Sequence, residues 1–318
     1  MKQVRPTSKI LKKRLVHLSP DNPCPCGSGR SLSDCCLSPG GHLRKRPPTL
    51  RPPPPQTSHA QLGCYLAGTT DCSADLSREH YISKSVLQAI GNTVAASGVP
   101  WLPDGQEKEI GINSLTARIL CSRHNSALSL LDSAAGAFFE KLQEIEVDLQ
   151  QKSLSRKHSF VLMSGEALEL WMLKLACGLF YSKNAAADGA RLIDQHEVNE
   201  ELVHEALLFG RWREGCGLYL RPPQGFRIPD PHTISMAPLI ALNEDRLVGS
   251  ALSLIGLEFE LIFNPIGASK RDLAQAGWIH RPTQLRFEIG TRAHSIALTW
   301  PPATPPKLVR IPHKRTRA

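Results

Sequence analysis

The sequence has 318 residues, 41% of them apolar and 21% charged, enough for the core of one large domain or two ordinary ones. Charge is uneven: residues 1–60 carry 11 Lys and Arg against 2 acidic residues, residues 300–318 carry 5 Lys and Arg and no acid, and residues 61–299 have a net charge of −5. A mildly acidic body with basic ends suits a polyanionic partner such as nucleic acid, and solvated tails equally. No run offers the ~18 uncharged apolar residues of a membrane span; the best, 248–263, is broken by Glu258 and Glu260. The first 18 residues lack the apolar stretch and cleavage site of a secretory signal. A cytoplasmic setting is expected, with no membrane, and there the nine cysteines need a role other than disulfides.

In chain order, residues 1–19 are a basic lead segment with helical character over 8–17. Residues 20–40 hold four cysteines among Gly, Pro and Ser. Residues 41–58 contain Pro52 to Pro55, which excludes helix and sheet ladder and predicts a semi-rigid linker that decouples what precedes it. Residues 59–152 are a second Cys/His region ending in a helix over 126–151, with Leu128, Leu131, Ala135, Phe138, Leu142 and Ile145 on one face. Residues 153–300 predict an α+β domain. Ser164 caps a helix that stops near Asn184, and a second helix spans 197–209. Short runs at 217–221, 233–242, 246–254, 257–263, 285–289 and 295–300 then predict an antiparallel sheet. Residues 301–318, Pro-rich and basic, are expected to be a disordered tail.

Cys24, Cys26, Cys35 and Cys36 form a C-x-C-x8-C-C set. Four thiolates can enclose one zinc ion, and Gly27 and Gly29 let the chain turn so that both pairs face inward. So short and polar a segment needs bound metal to fold. Pro23-Cys24-Pro25-Cys26-Gly27-Ser28-Gly29-Arg30 followed by Cys35-Cys36 resembles the SEC-C zinc motif. The resemblance implies a small zinc knuckle that can contact a protein partner.

Cys64, Cys72, Cys121 and His124 give a second four-ligand set, in two widely separated pairs, that would pin a hairpin to the start of a helix. Beside it stand Glu79-His80 and Asn125. A neutral His can take a proton from water near neutral pH, and Glu and Asn oxygens suit a hard cation. Together they are a kit for phosphodiester hydrolysis.

Residues 77–85, with Glu79-His80, and Leu120-Cys121-Ser122-Arg123-His124-Asn125 resemble the HNH endonucleases, whose fold is a ββα-metal unit. By that resemblance His80 is the general base, Glu79 and Asn125 hold a catalytic Mg²⁺ or Mn²⁺, and Cys64, Cys72, Cys121 and His124 hold a structural zinc. Arg78, Lys84 and Arg123 would grip the scissile strand. The middle Asn of the motif has no clear counterpart. The expected function is metal-dependent cleavage of DNA or RNA, with two structural zinc ions. The alternative is a non-catalytic zinc adaptor that binds nucleic acid or a protein.

Overall fold

The computed structural model describes residues 18–52, 54–97, 99, 102–103, 105–151, 158–187, 190–225, 233–241, 245–265, 270–301 and 304–313. The helix expected over 8–17 and the basic runs at 12–14 and 314–315 lie outside them. Among the described residues no helix is long and apolar enough to cross a membrane.

The fold is mixed α+β. Strands β1 (Leu76–His80) and β4 (Thr116–Cys121) pair antiparallel, and helix α2 (Ser122–Gln150) follows β4 without a break. Between the two strands lie α1 (Lys84–Ile90) and the hairpin of β2 (Thr93–Ala96) and β3 (Lys108–Gly111). Helix α2 starts four residues earlier than its apolar spacing predicts. The reason is its cap: the Cys121 sulfur accepts from His124 N at 3.4 Å, a capping role that hydrophobic periodicity does not register.

Strand β5 (His158–Ser164) leads into α3 (Gly165–Tyr181), capped as predicted by Ser164, whose Oγ accepts from Ala167 N at 3.1 Å. Residues on every side of α3 are buried, so it is a central helix rather than a surface amphipath. It packs against α2 on one side and a sheet on the other. Phe139 of α2 meets Trp171 of α3 edge-on, with ring centroids 5.7 Å apart, and Phe138 meets Phe259 of the sheet at 6.1 Å. At Gly178 the helix passes so close to Tyr81 that an added Cβ would stand 2.8 Å from its carbonyl oxygen.

After the short pair β6 (Ala186–Ala187) and β7 (Ala190–Arg191) come α4 (Leu192–Gln195) and α5 (Glu200–Phe209). The remaining strands are β8 (Gly217–Arg221), β9 (Ile234–Ala241), β10 (Arg246–Leu254), β11 (Leu257–Ile262), β12 (Ile279–His280), β13 (Gln284–Ile289), β14 (Arg292–Thr299) and β15 (Leu308–Pro312), with α6 (Lys270–Gln275) before β12. Strands β12-β8-β11-β10-β9 form an antiparallel sheet that holds four of the six runs expected in one; the runs at 285–289 and 295–300 belong to a separate sheet. The other sheet, β15-β13-β14-β5, is mixed: β13 and β14 are antiparallel, while β15 and β5 join them in parallel.

Two expectations are corrected here. Residues 308–312, expected in a disordered tail, form β15, because Val309 and Ile311 alternate into the core beside Leu285 and Phe287 of β13. The Pro-rich segment also fails to decouple the cysteine knuckle. Cys24, Leu32 and Cys36 pack with Phe160, Leu162 and Ala297, on the face of the mixed sheet away from α2. Leu162 N donates to Pro25 O at 3.1 Å, and Thr299 Oγ1 donates to Lys45 O at 3.1 Å. The knuckle covers both a face of that sheet and its β5 edge, which otherwise would present unpaired backbone groups. A second, larger cluster of buried apolar residues extends from Leu50 to Ile311.

Candidate metal centres and the Glu79 site

In the knuckle, Gly27 and Gly29 adopt φ of +78° and +75°, the turns that only glycine takes freely. Cys24 N donates to Arg30 O at 2.8 Å, closing the loop between the two cysteine pairs. The four Sγ atoms lie within 4.8 Å of one another. Cys26 and Cys35 are 3.5 Å apart, and Cys35 and Cys36 3.6 Å. Tetrahedral zinc–thiolate bonds set an S···S edge of about 3.8 Å, so the donor set fits zinc. Burial pushes the Cys26 thiol up, but the Ser28 hydroxyl and neighbouring thiols outweigh it and bring the group down to about 6. A thiol that ionises readily is a ready zinc ligand.

The second set, Cys64, Cys72, Cys121 and His124, is fully buried at the junction of β4 and α2, its ligand atoms again within 4.8 Å of one another. His124 Nδ1 lies 3.5 Å from the Cys64 sulfur, 3.6 Å from Cys72 and 3.3 Å from Cys121. A tetrahedral site has an N···S edge of about 3.5 Å, and this set fits zinc as well. Thr69 Oγ1 contacts the other ring nitrogen at 3.3 Å, which orients Nδ1 toward the sulfurs. Burial lowers the His124 pKa, favouring the neutral ring that a metal needs. The cysteine pair at 64 and 72 reaches the site through backbone bonds: Tyr65 N donates to Ile119 O at 3.0 Å, and Ser122 N to Asp75 O at 3.0 Å.

Glu79 is 5% exposed on β1. Its carboxylate lies 2.5 Å from the Lys174 ammonium of α3, and Asn125 is near enough to pull its pKa down slightly. Lys174 also pairs with Asp132 of α2, which accepts from Ser83 Oγ; Ser83 in turn accepts from Trp171 Nε1 at 2.6 Å. Burial raises the Glu79 pKa, against the pull of Lys174. The Asn125 amide nitrogen donates to Ser77 Oγ at 2.9 Å.

This geometry departs from the expected catalytic metal site. Asn125 turns its amide to Ser77, the cation on the Glu79 carboxylate is Lys174, and a divalent ion there would face a fixed buried ammonium. The residues present do not fit Mg²⁺ or Mn²⁺. His80 is half-buried, and among the described residues its buried Nε2 has no hydrogen-bond partner. It lines a cavity of about 10 Å³ with Glu79, Tyr65, Trp171 and Lys174, room for about one water molecule. Burial lowers the His80 pKa, and the Lys84 charge adds to the effect. Asn125 is not among the cavity's lining residues.

Of the three residues expected to grip nucleic acid, Arg78 and Lys84 are exposed. Arg123 is instead bound to Asp71, 3.0 Å away, because α2 begins with its first turn against the 71–75 loop. Sequence reasoning missed Lys174, Asp132 and Ser83. Two signals were present: Lys174 is a charge inside the apolar run of α3, and Asp132 lies two turns beyond Asn125 on α2.

Residues 22–38 match the SEC-C motif family. No curated protein and no solved structure shows significant similarity to the chain. The chain therefore carries a SEC-C motif whose cysteine cluster fits a metal-binding role.

Proposed function

We propose that this chain is a zinc adaptor, built around two structural zinc ions, that binds nucleic acid without cleaving it. The observation that carries this is the Lys174 ammonium on Glu79: the carboxylate that hydrolysis would need for a metal already holds an internal cation. The likeness of residues 59–152 to an HNH unit then reflects a zinc-held frame used for binding. Arg78 on β1 and Arg118 on the paired β4 are exposed, with Lys84 exposed just beyond β1, and such groups bind phosphate without reading sequence.

A second reading, an HNH-type endonuclease with His80 as general base, is favoured by one specific arrangement. Asn125 lies near the Glu79 carboxylate, and His80 next to it has an Nε2 with no hydrogen-bond partner among the described residues. The test combines binding and cleavage on the zinc-loaded protein. Fluorescence anisotropy with labelled DNA and RNA should show salt-sensitive binding, and the Arg78→Ala/Lys84→Ala/Arg118→Ala variant should lower the salt slope. Plasmid and RNA should stay intact with Mg²⁺ or Mn²⁺. Cleavage that His80→Ala abolishes would establish the endonuclease, and absence of any nucleic-acid binding would leave the protein-binding form of the adaptor.

A further inference from the structure

Strands β5 and β14 lie side by side, and the register puts Ser159 opposite His294. Ser159 Oγ is 2.6 Å from His294 Nδ1, and His294 Nε2 is 2.7 Å from Asp148 Oδ2 in the last turn of α2. Ser159 is exposed, while His294 is buried between its two partners. Arg292 holds the carboxylate's backbone in place, donating to Asp148 O at 2.5 Å and to Gln151 O at 2.9 Å.

The proton order follows from the partners. With Asp148 ionised and the His294 ring neutral, Nε2 carries the hydrogen and Nδ1 keeps its lone pair. The Ser159 hydroxyl must then donate to Nδ1, which is the ground state of an activated serine. We propose that Ser159 is a nucleophile toward carboxylic esters, with His294 as its base and Asp148 as the residue that positions and charge-balances the ring. Such triads are recognised by geometry and roles rather than by sequence position; here Ser159 stands on Nδ1 and Asp148 on Nε2.

In the acylation step the Ser159 Oγ–C bond forms as the hydroxyl proton passes to His294 Nδ1. The ester C–O bond then breaks, and the leaving alcohol takes that proton. Water attacks the acyl-serine with His294 again as base, releasing the acid and restoring Ser159.

The test uses full-length, zinc-loaded protein and an alkyl fluorophosphonate, which forms an Oγ–P bond with an activated serine and releases fluoride. Peptide mapping should find the adduct on Ser159, formed about a hundredfold faster than on Ser129, an exposed serine of α2. Ser159→Ala, a conservative change at an exposed site, should lose that adduct with an unchanged melting temperature. Asp148→Asn should slow labelling, and Asp148→Glu should restore part of the rate, which a purely structural contact would not do. Folded wild-type protein that gains no adduct on Ser159, or gains it at the Ser129 rate, overturns the proposal. So does labelling at the wild-type rate in folded Asp148→Asn.

Discussion

Lys174 of α3 and Glu79 of β1 form a buried ion pair at 2.5 Å, each 5% exposed. The pair joins the β1–β4–α2 segment to the central helix. Asp132 adds a second carboxylate to the same ammonium, so three elements converge on one cation. Breaking such a pair from one side leaves buried charge uncompensated. Lys174→Met should therefore cost about 3–5 kcal/mol. The double change Lys174→Met with Glu79→Gln should recover much of that, read by denaturant unfolding of the zinc-loaded protein. A single variant as stable as wild type would contradict the assignment.

The Glu79 carboxyl also sets a pH dependence. Burial raises its pKa above the ordinary value, so the folded chain holds this proton to higher pH than the unfolded chain does. The contribution is most favourable below the unfolded value, about 4.3, and diminishes as pH rises through the folded value. Glu79→Gln cannot ionise, so its stability relative to wild type should rise across that window. Parallel stability–pH curves for the two proteins would refute this.

The knuckle should stabilise the mixed sheet as well as itself. Cys24→Ser should remove one zinc per chain and uncover the β5 edge, since Pro25 accepts from Leu162 N. Hydrogen exchange at the Leu162 amide should then accelerate while α2 amides stay protected. Unchanged exchange would mean that the sheet does not depend on the folded knuckle.

The buried cluster of Cys64, Cys72, Cys121 and His124 joins the 59–72 segment to the β4–α2 junction. Cys121 supplies both a ligand and the α2 cap. Cys121→Ser should lose the second zinc and lower the melting temperature more than Cys24→Ser does. The two variants melting alike would count against it.

Gly178 lies against the Tyr81 backbone, with only 2.8 Å from a would-be Cβ to the Tyr81 oxygen. Gly178→Ala should push α3 away from the segment after β1 and cost about 1–3 kcal/mol, the usual scale of overpacking. A neutral change would show that the helix has slack there.

Much of the local architecture was legible in the sequence. The cysteine spacing marked both clusters of metal-ligand-type side chains, the Ser164 cap was correct, and alternation in Leu257-Glu258-Phe259-Glu260-Leu261 marked a strand. What escaped depends on contacts between distant segments. No periodicity tells that Lys174 will meet Glu79, or that Asn125 will turn its amide to Ser77. Prolines masked β15, whose edge position tolerates Pro312 at its end. The knuckle's docking was hidden because the Pro-rich segment reads as a spacer, while the apolar residues that receive the knuckle lie on β5 and β14.

The central claim, that Lys174 closes the Glu79 site to a divalent ion, is tested most directly by titrating Mn²⁺ into zinc-loaded protein. Electron paramagnetic resonance would count free and bound ion, with plasmid nicking followed in the same samples. The account predicts that the added Mn²⁺ stays free and the plasmid stays intact. A bound Mn²⁺ that Glu79→Gln releases, together with nicking that His80→Ala abolishes, would contradict it.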